Sequence, residues 1–442
     1  MRATVVGAGL AGCEAAWQLA MRGVEVTLIE QKPRRRSPAH HTDLFAELVC
    51  SNSLKAERIH SAGGLLKAEM RRLGSLMVET AYACRVPAGG ALAVDRTDFA
   101  AKITAAVNDH PLITVQNTEQ VDLPEGVTII ATGPLTDGAL AERIAALAGQ
   151  PLSFYDAAAP IVTKDSIDFD CAFCQSRYDR EDSGDGDYIN CPMNREEYEA
   201  FHVALVAAEP ASLHGFDRPP KVYEGCMPVE IMAARGPDTL CYGPLKPVGL
   251  RDPRTGHRPW ANVQLRRENS ADTLYNLVGF QTNLKFSEQK RVFSMIPALC
   301  RAEFMRFGVM HRNTFLDSPR LLGASYAVKT RADLFFAGQI TGVEGYMESA
   351  GSGLLAGLNA FRLLCGQLPL ILPATTMLGA LAAYISDPTV INFQPMGANF
   401  GLLPTLDSPP RDKQERYKQL AERALAALNE SINQSKPEET GG

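Results

Sequence analysis

The glycine-rich run GAGLAG at residues 7–12 constrains the fold of this chain more than any other feature. The apolar residues 2–6 before it predict a strand, and residues 13–23 after it predict a helix. Residues 24–30 predict a second strand, which ends in Glu30. Strand, glycine turn, helix and strand in this order are typical of a βαβ unit that binds a dinucleotide.

Each glycine of the turn has a physical task. We expect Gly7 to make the tight turn, Gly9 to let the backbone approach a pyrophosphate, and Gly12 to let the helix pack closely on the strand. The helix N-terminus would offer N–H groups and the positive end of its dipole to phosphate. The predicted cofactor contacts are the six residues of the run, Gly7, Ala8, Gly9, Leu10, Ala11 and Gly12.

Glu30 closes the second strand, where it is predicted to accept hydrogen bonds from ribose hydroxyls. Its carboxylate would repel a 2′-phosphate, so the nucleotide held here should lack one. The alternative is a turn of the same shape that binds no nucleotide.

Composition limits the class of protein. The 442 residues are 45% hydrophobic and 21% charged, as is typical of a soluble enzyme with two or three domains. No apolar run reaches the ~18 residues that a membrane span needs, and no signal peptide is predicted, so we expect a cytoplasmic protein. The ten scattered cysteines indicate reduced thiols. A net charge of −6 argues against a basic coat but not against a local RNA-binding patch.

The pattern predicts an α/β fold. Helical periodicity occurs at residues 61–80 and 97–107, and residues 127–135 form an apolar strand. From 151 to 325, aromatic residues, prolines and short strand candidates predict an inserted α+β domain. The remaining segments, 1–150 and 326–442, are predicted to form one discontinuous Rossmann-like domain. It has further helices at 351–364 and 411–433 and a disordered tail after them.

Two segments specify the nucleotide. ATG at 131–133 and FFAG at 335–338 resemble the second and third signatures of the FAD-binding disulfide-reductase superfamily. That resemblance implies FAD as the bound cofactor, with Gly133, Gly338 and Gly342 among its contacts. The chain departs from the usual pattern at Gln339, where the third signature normally has an aspartate.

Cysteines 50 and 226 are the candidate reactive thiols. Ser51, Asn52 and Ser53 favour an anion-binding turn or a helix start beside Cys50, which would stabilise a thiolate. Cys226 follows a glycine and precedes Met-Pro, which predicts a fixed turn that presents the sulfur. The alternative for each is a small buried core residue.

No metal site is predicted. The CAFC segment and Cys191 supply three thiols without a fourth ligand at a suitable spacing.

Several longer segments resemble one family. They are similar to the folate- and FAD-dependent tRNA (uracil-5-)-methyltransferases, which are relatives of the longer GidA-type flavoproteins. The resemblance runs from residue 1 to about 405. It rests on the segments GAGLAGCEAAW, SPAHHTDLFAELVCSNSLKAE, VPAGGALAVDR, CPMNREEY, GCMPVE, GPLKPVGL, GVMHRNTF and AGQITGVEGYMESAGSGLLAGLNA.

The resemblance implies a reaction. Methylenetetrahydrofolate would supply a one-carbon unit through reduced FAD, and NADH or NADPH would supply reducing equivalents. A cysteine thiolate would add to C6 of a T-loop uracil, position 54, so that C5 becomes nucleophilic and 5-methyluridine results. The two functional cysteines of the family match Cys50 and Cys226, and the sequence does not reveal which of them attacks uracil.

RNA and folate need contacts of their own. The loop after the second strand carries Lys32, Arg34, Arg35 and Arg36, which we predict to bind tRNA phosphates near Cys50. A solvated loop is the alternative. Tyr346 is a candidate stacking group for folate or base, or equally a core tyrosine. Further basic candidates for RNA contacts, most of which we expect to be ordinary surface charges, are Lys246, Arg251, Arg254, Arg266, Arg267, Lys285, Lys290 and Arg291.

Two other functions remain open. One is a flavoenzyme that only oxidises or reduces a small molecule or thiol; the absence of a redox CxxC beside the flavin segments argues against it. The other is a GidA-like tRNA-modifying flavoprotein with a different one-carbon product.

Overall fold

The computed structural model describes residues 1–37, 39–149, 152–179, 186–211, 227–390 and 393–434. For residues 152–157, 311 and 312 it describes the backbone alone.

The described residues form seventeen strands and thirteen α-helices. The described strands are β1 (Arg2–Val6), β2 (Glu25–Glu30), β3 (Ser53–Ala56), β4 (Arg85–Val86), β5 (Ala91–Val94), β6 (Ile113–Asn117), β7 (Thr128–Ile130), β8 (Leu152–Ala157), β9 (Ile161–Thr163), β10 (Phe173–Cys174), β11 (Tyr188–Met193), β12 (Ala261–Arg267), β13 (Leu274–Leu277), β14 (Phe304–Arg306), β15 (Met310–Phe315), β16 (Ala327–Val328) and β17 (Arg331–Phe336). The described helices are α1 (Leu10–Ala20), α2 (Ala62–Arg72), α3 (Leu76–Ala83), α4 (Arg96–Asn108), α5 (Gly138–Ala148), α6 (Arg195–Val206), α7 (Val229–Ala233), α8 (Thr239–Tyr242), α9 (Phe286–Phe293), α10 (Ser318–Leu321), α11 (Tyr346–Leu364), α12 (Met377–Ser386) and α13 (Lys413–Gln434).

The first sheet is the nucleotide-binding frame. Its described strands lie in the order β16-β17-β7-β1-β2-β6, and the pairings from β17 to β6 are parallel. Helices α1 and α11 pack on each other at very close range. A Cβ on Gly353 would lie 2.1 Å from the carbonyl oxygen of Ala11, so only glycine allows this approach.

A second sheet forms in the inserted segment. Its described strands lie in the order β10-β11-β12-β13-β9-β14 and pair antiparallel. It has its own core, with Phe201, Phe280 and Phe293 among the buried residues. Helix α6 covers this core and begins with a capping box, in which Asn194 and Glu197 satisfy each other's backbone N–H groups.

A two-stranded antiparallel ribbon of β8 and β15 joins the two cores. Phe315 and Leu322 pack in the first core, and the predicted end of the inserted domain at residue 325 stays a prediction. The predicted boundary after residue 150 falls where the described chain is interrupted and stays a prediction.

The predicted fold class is confirmed, and the individual elements differ in detail. The helical stretch at 61–80 is two helices, because Ser75 caps a new helix by accepting from the N–H of Val78. Helix α11 begins at Tyr346 rather than 351. The predicted disordered tail, residues 435–442, lies outside the described residues. In the described part of the chain, no helix combines the length and apolarity needed to cross a membrane.

Candidate active site

A cavity of about 430 Å³ opens at the carboxyl ends of the parallel strands. Crevices at this end of a parallel sheet are the usual ligand sites of such folds. Its wall contains the glycine turn, Glu30, the segment after β7, the residues that precede α11, and Cys50. Three stretches far apart in sequence therefore meet around one space.

The glycine turn has the predicted geometry. Gly7 has a positive φ of 98°, which favours glycine. A Cβ on Gly12 would lie 1.8 Å from the carbonyl oxygen of Gly7, so this glycine serves helix packing and does not line the cavity. A Cβ on Gly9 would meet no described atom within 4 Å. The turn therefore leaves open space at the residue that was expected to face a pyrophosphate.

Glu30 is buried and faces the turn. One carboxylate oxygen accepts from the N–H of Ala8 at 2.8 Å, and the other accepts from the N–H of Lys32 at 2.9 Å. Glu30 also lines the cavity. The carboxylate thus stabilises the turn and presents lone pairs to a ligand at the same time.

The second and third glycine segments lie on the same cavity. Gly133 and Gly338 line it, with positive φ values of 78° and 86°. Gln339 also lines it, and its side-chain amide donates to Glu344 at 2.6 Å. Gly342 lies outside the lining, since a Cβ there would come within 2.5 Å of the Phe393 ring.

Cys50 lies half-buried on the cavity wall, in a bend that leads into β3. No helix begins beside it, so the helix start considered from the sequence is wrong. Tyr346, the first residue of α11, anchors the bend. Its hydroxyl oxygen accepts from the N–H of Cys50 at 2.7 Å and from that of Ser51 at 3.1 Å. Burial raises the pKa of Tyr346, so it stays a neutral phenol.

Three arginines surround the same bend. Arg96 donates to the carbonyl of Leu48 at 2.8 Å, and Arg306 donates to that of Val49 at 2.6 Å. Arg266 donates to the side chains of Ser51 at 2.7 Å and Asn52 at 2.9 Å. Guanidinium groups from both domains therefore fix residues 48–52.

The charge around this bend is positive. Glu268 forms an ion pair with Arg96 and is the acidic partner in the cluster. Burial lowers the pKa of Arg266 and Arg306, and interaction with Cys50 opposes that shift in both. Among the further basic candidates, Arg266 is not an ordinary surface charge, because it is only 7% exposed.

Sequence reasoning also missed Lys55. This residue has a positive φ of 64°, which is rare for lysine. Its ammonium lies on the cavity wall, 2.5 Å from a carboxylate oxygen of the buried Glu348. Both residues occur in the segments that carried the family resemblance, but no residue pattern signals the left-handed backbone that brings them together.

The cationic residues of the basic loop have different surroundings. Lys32 is 4% exposed, lines the cavity and donates to the carbonyl of Leu44. Arg35 pairs with Glu119 and Asp137, and Arg36 pairs with Asp43. Arg34 is exposed, with no ion pair to any described residue. The loop therefore presents fewer available cations to RNA than its sequence indicates.

Cys226 lies in residues 212–226, outside the described chain. Just after it, the N–H of Val229 donates to the carbonyl of Gln281 at 2.7 Å, and Gln281 lines the cavity.

The three thiols without an assigned role lie in the inserted domain. Cys171 is half-buried, Cys174 is exposed and Cys191 is buried, with its pKa raised by burial. No group of three potential metal ligands occurs among the described residues.

The comparisons with known proteins agree with one another. The family model described as glucose inhibited division protein A matches residues 2–367. Proteins named methylenetetrahydrofolate–tRNA-(uracil-5-)-methyltransferase TrmFO from Listeria innocua and Bacillus cytotoxicus are each 56% identical to this chain, over 97% of it and 98% of the relative. The relative from Halalkalibacterium halodurans gives the same figures.

A solved structure, Aquifex aeolicus GidA, superimposes with a TM-score of 0.70 at 17% identity. It covers 99% of this chain and 76% of that one, and it agrees with the fold described above. From these matches, the chain belongs to the GidA family and, within it, to the methylenetetrahydrofolate-dependent tRNA (uracil-5-)-methyltransferases.

Proposed function

We propose that this protein methylates C5 of a uridine in tRNA, with methylenetetrahydrofolate as the carbon donor and FAD as the bound cofactor. The observation that carries the proposal is the half-buried Cys50 on the wall of the dinucleotide cavity. A nucleophilic sulfur beside a flavin site is what this reaction needs, and the family membership supplies the substrate class.

The cavity suits FAD. Helices α1 and α11 begin beside it, after Gly9 and Gly345, which have no side chains to cap the first N–H groups. These N-termini would hold the pyrophosphate and the polar edge of the ring. Glu30 would hold the adenosine ribose, and Gly133 and Gly338 would allow close backbone approach. FAD, when bound, would supply the chemistry that reduces the one-carbon unit to a methyl group.

The chain itself contributes the thiol of Cys50 to the proposed reaction. Addition of a thiolate to C6 of uracil makes C5 nucleophilic, and sulfur adds to an electron-poor ring better than oxygen. Arg266 and Arg306 interact electrostatically with Cys50, and electropositive surroundings of this kind are typical of reactive cysteines. Tyr346 and the arginines hold the bend, so the sulfur is positioned before substrate arrives.

Cys226 is proposed as the second functional thiol. Its support is the family match and the hydrogen bond of Val229 to Gln281, which brings the neighbouring chain to the cavity. Either cysteine could attack uracil, and the other would then serve the cofactor side of the reaction.

The remaining details are proposals of the same kind. We assign the target to position 54 of the T loop, the reductant to NADH or NADPH, and the location to the cytoplasm. Arg34 is the best placed residue of the basic loop for a phosphate contact, because it is exposed and forms no ion pair with a described residue, whereas the exposed Arg36 pairs with Asp43. Tyr346 remains a candidate for stacking on folate or base, since it lines the cavity.

Label transfer tests the function directly. Purified protein with FAD and NADH or NADPH should move carbon from labelled methylenetetrahydrofolate to an unmodified tRNA transcript, and none from S-adenosylmethionine. Cys50→Ala and Cys226→Ala should each lower the rate by more than ~10³-fold, as expected when a covalent step is lost. Both should keep bound flavin.

Cys300→Ala is the matched control, because this cysteine is exposed and does not line the cavity. A wild-type protein that oxidises NADH but transfers no carbon would instead support the redox-only flavoenzyme. Full activity of either cavity variant would remove that cysteine from the mechanism.

A further inference from the structure

Three phenylalanine rings form a stack at the surface of the inserted domain. The rings of Phe286 and Phe307 are nearly parallel, at 14°, with centroids 4.9 Å apart. Phe307 and Phe304 follow at 15° and 5.4 Å. Phe286 begins α9 and is 53% exposed. The stack therefore ends in a large apolar ring that meets solvent, an uncommon place for phenylalanine.

The inner end of the stack packs against the core of the second sheet. Phe304 contacts Phe293, whose ring packs edge-on against Phe280 at 5.2 Å. Phe280 and Phe293 are fully buried. A ring held in this way is rigid, so little conformational entropy is lost when a flat ligand stacks on it.

The stack also lies beside the proposed reaction site. Arg306, between two of the stacked residues in sequence, donates to the carbonyl of Val49, next to Cys50. The chain leads from the cavity-lining Gln281 to Phe286 in a few residues, and Thr282 is fixed by Glu230 at 2.9 Å. The chain therefore connects the stack to the site at two points, through Arg306 to the bend that holds Cys50 and through residues 281–286 to the cavity wall.

The charges near the exposed ring of Phe286 indicate which class of ligand would bind there. Lys285, Lys290 and Arg291 are exposed around it on α9. Lys285 and Arg291 form surface ion pairs with Glu209 and Glu288, which are weak enough to exchange for phosphate. Lys290 forms no ion pair within the described chain. Aromatic surface with cations beside it suits unpaired RNA, because bases stack while phosphates bind cations.

We propose that Phe286 is a stacking platform for an unpaired base of the substrate RNA, with Lys290 contacting a neighbouring phosphate. The proposal rests on the proposed function for its RNA substrate class and adds the surface that would hold a nucleotide next to the target. Its ligand class is a purine or pyrimidine in a non-helical segment of RNA.

Affinity for an unmodified tRNA transcript tests the platform. Phe286→Ala should raise the dissociation constant about five- to hundredfold, the range for loss of one base–aromatic stack. Phe286→Trp should restore wild-type binding. Phe286→Ala should leave the affinity for a blunt RNA duplex and the salt dependence unchanged, because no phosphate contact is lost. Lys290→Gln should instead flatten the salt dependence.

The matched control is Phe169→Ala. Phe169 is also exposed, at 45%, lies in the same domain and stands between Asp168 and Asp170. Its loss should not change RNA affinity. Phe286→Trp also gives a direct readout, since tRNA should quench its fluorescence and leave that of Phe169→Trp unaffected.

The outcomes separate the two proposals. If wild-type protein methylates tRNA and Phe286→Ala binds it within twofold of wild type, the platform is wrong and the function stands. If Phe286→Ala changes the oligomeric state by sedimentation and not RNA affinity, the ring is a protein contact and the platform is again wrong. If wild-type protein binds tRNA through Phe286 but transfers no carbon, the platform stands and the methylation proposal fails.

Discussion

The two walls of the cavity are built in different ways. The dinucleotide wall, residues 7–11 with Glu30, is fixed by backbone geometry and one carboxylate within a single βαβ unit. The thiol wall, residues 48–52, is fixed by side chains from distant parts of the chain: Arg96, Arg266, Arg306 and Tyr346. The dinucleotide wall depends on residues without side chains, whereas the thiol wall depends mainly on long cationic side chains.

The difference reflects what each wall must bind. Phosphate needs N–H groups and open space, which glycine and a helix N-terminus provide at low cost. A sulfur nucleophile needs a fixed position and a positive environment, which here requires buried guanidinium groups. Burying those charges costs free energy, and the cost is offset only while every hydrogen bond to residues 48–52 is made.

The largest effect should separate two glycines of the turn at residues 7–12, of which Gly9 lines the cavity and Gly12 does not. Gly12→Ala places a Cβ 1.8 Å from the carbonyl of Gly7, so we expect a loss of about 3 kcal/mol or more in the free energy of unfolding. Gly9→Ala meets no described atom within 4 Å, so apoprotein stability should change by less than ~0.5 kcal/mol. Its FAD affinity should fall by at least about tenfold, since the added methyl occupies the pyrophosphate's space.

Urea unfolding of the apoproteins and flavin titration measure the two quantities. If Gly9→Ala binds FAD as tightly as wild type, the pyrophosphate does not approach this glycine, and the dinucleotide wall has been wrongly assigned.

An intermediate effect is expected on the thiol wall. Arg266→Gln leaves buried acceptors on Ser51 and Asn52 without a guanidinium, which should cost roughly 2–3 kcal/mol of stability. The rate of alkylation at Cys50 near neutral pH should also fall severalfold, because a nearby cation is lost. Arg266→Lys should restore part of the alkylation rate, because it returns the positive charge, but not the stability, since an ammonium cannot reproduce the planar fork.

Arg267→Gln is the control on the same strand. Its side chain pairs with the partly exposed Asp272 instead of the bend, so Cys50 should react as in wild type. Peptide mapping after iodoacetamide treatment gives the rate at Cys50 among the ten cysteines. Equal slowing in both variants would mean that the positive environment is not specific to Arg266.

The smallest effect concerns the basic loop at the solvent edge of the dinucleotide wall. Arg34→Gln should raise the Michaelis constant for tRNA by a fewfold and reduce the salt slope by about one, with flavin content unchanged. Arg36→Gln, whose guanidinium already pairs with Asp43 at 2.6 Å, should have the weaker effect. Equal constants for wild type and Arg34→Gln would exclude this loop from the RNA contacts.

Much of the dinucleotide wall was predictable from sequence because its determinants are local. The order of strand, glycine turn, helix and acidic residue identifies it, and β1, α1 and β2 occur within a residue or a few of their predicted positions. Gly342 shows the limit of this reasoning: it was expected among the cofactor contacts, but the ring of Phe393 fills the space beside it.

The thiol wall was predictable only in part. The sequence identified Cys50, but not what surrounds it, because Arg266 and Arg306 reach it across more than two hundred residues. Helix and strand periodicity contain no information on such contacts. The same holds for Lys55 and Glu348, which meet through a left-handed backbone that nothing in the sequence signals.

The hydrogen bonds from Arg266 and Arg306 to residues 48–52 limit how the molecule can open. Both arginines belong to the second sheet, whereas Tyr346, which holds the same bend, begins a helix of the nucleotide-binding frame. A rotation of the second sheet relative to the nucleotide-binding frame would either break these hydrogen bonds together or move the sulfur of Cys50 with it. Entry of a nucleobase is therefore expected to distort the RNA rather than the enzyme.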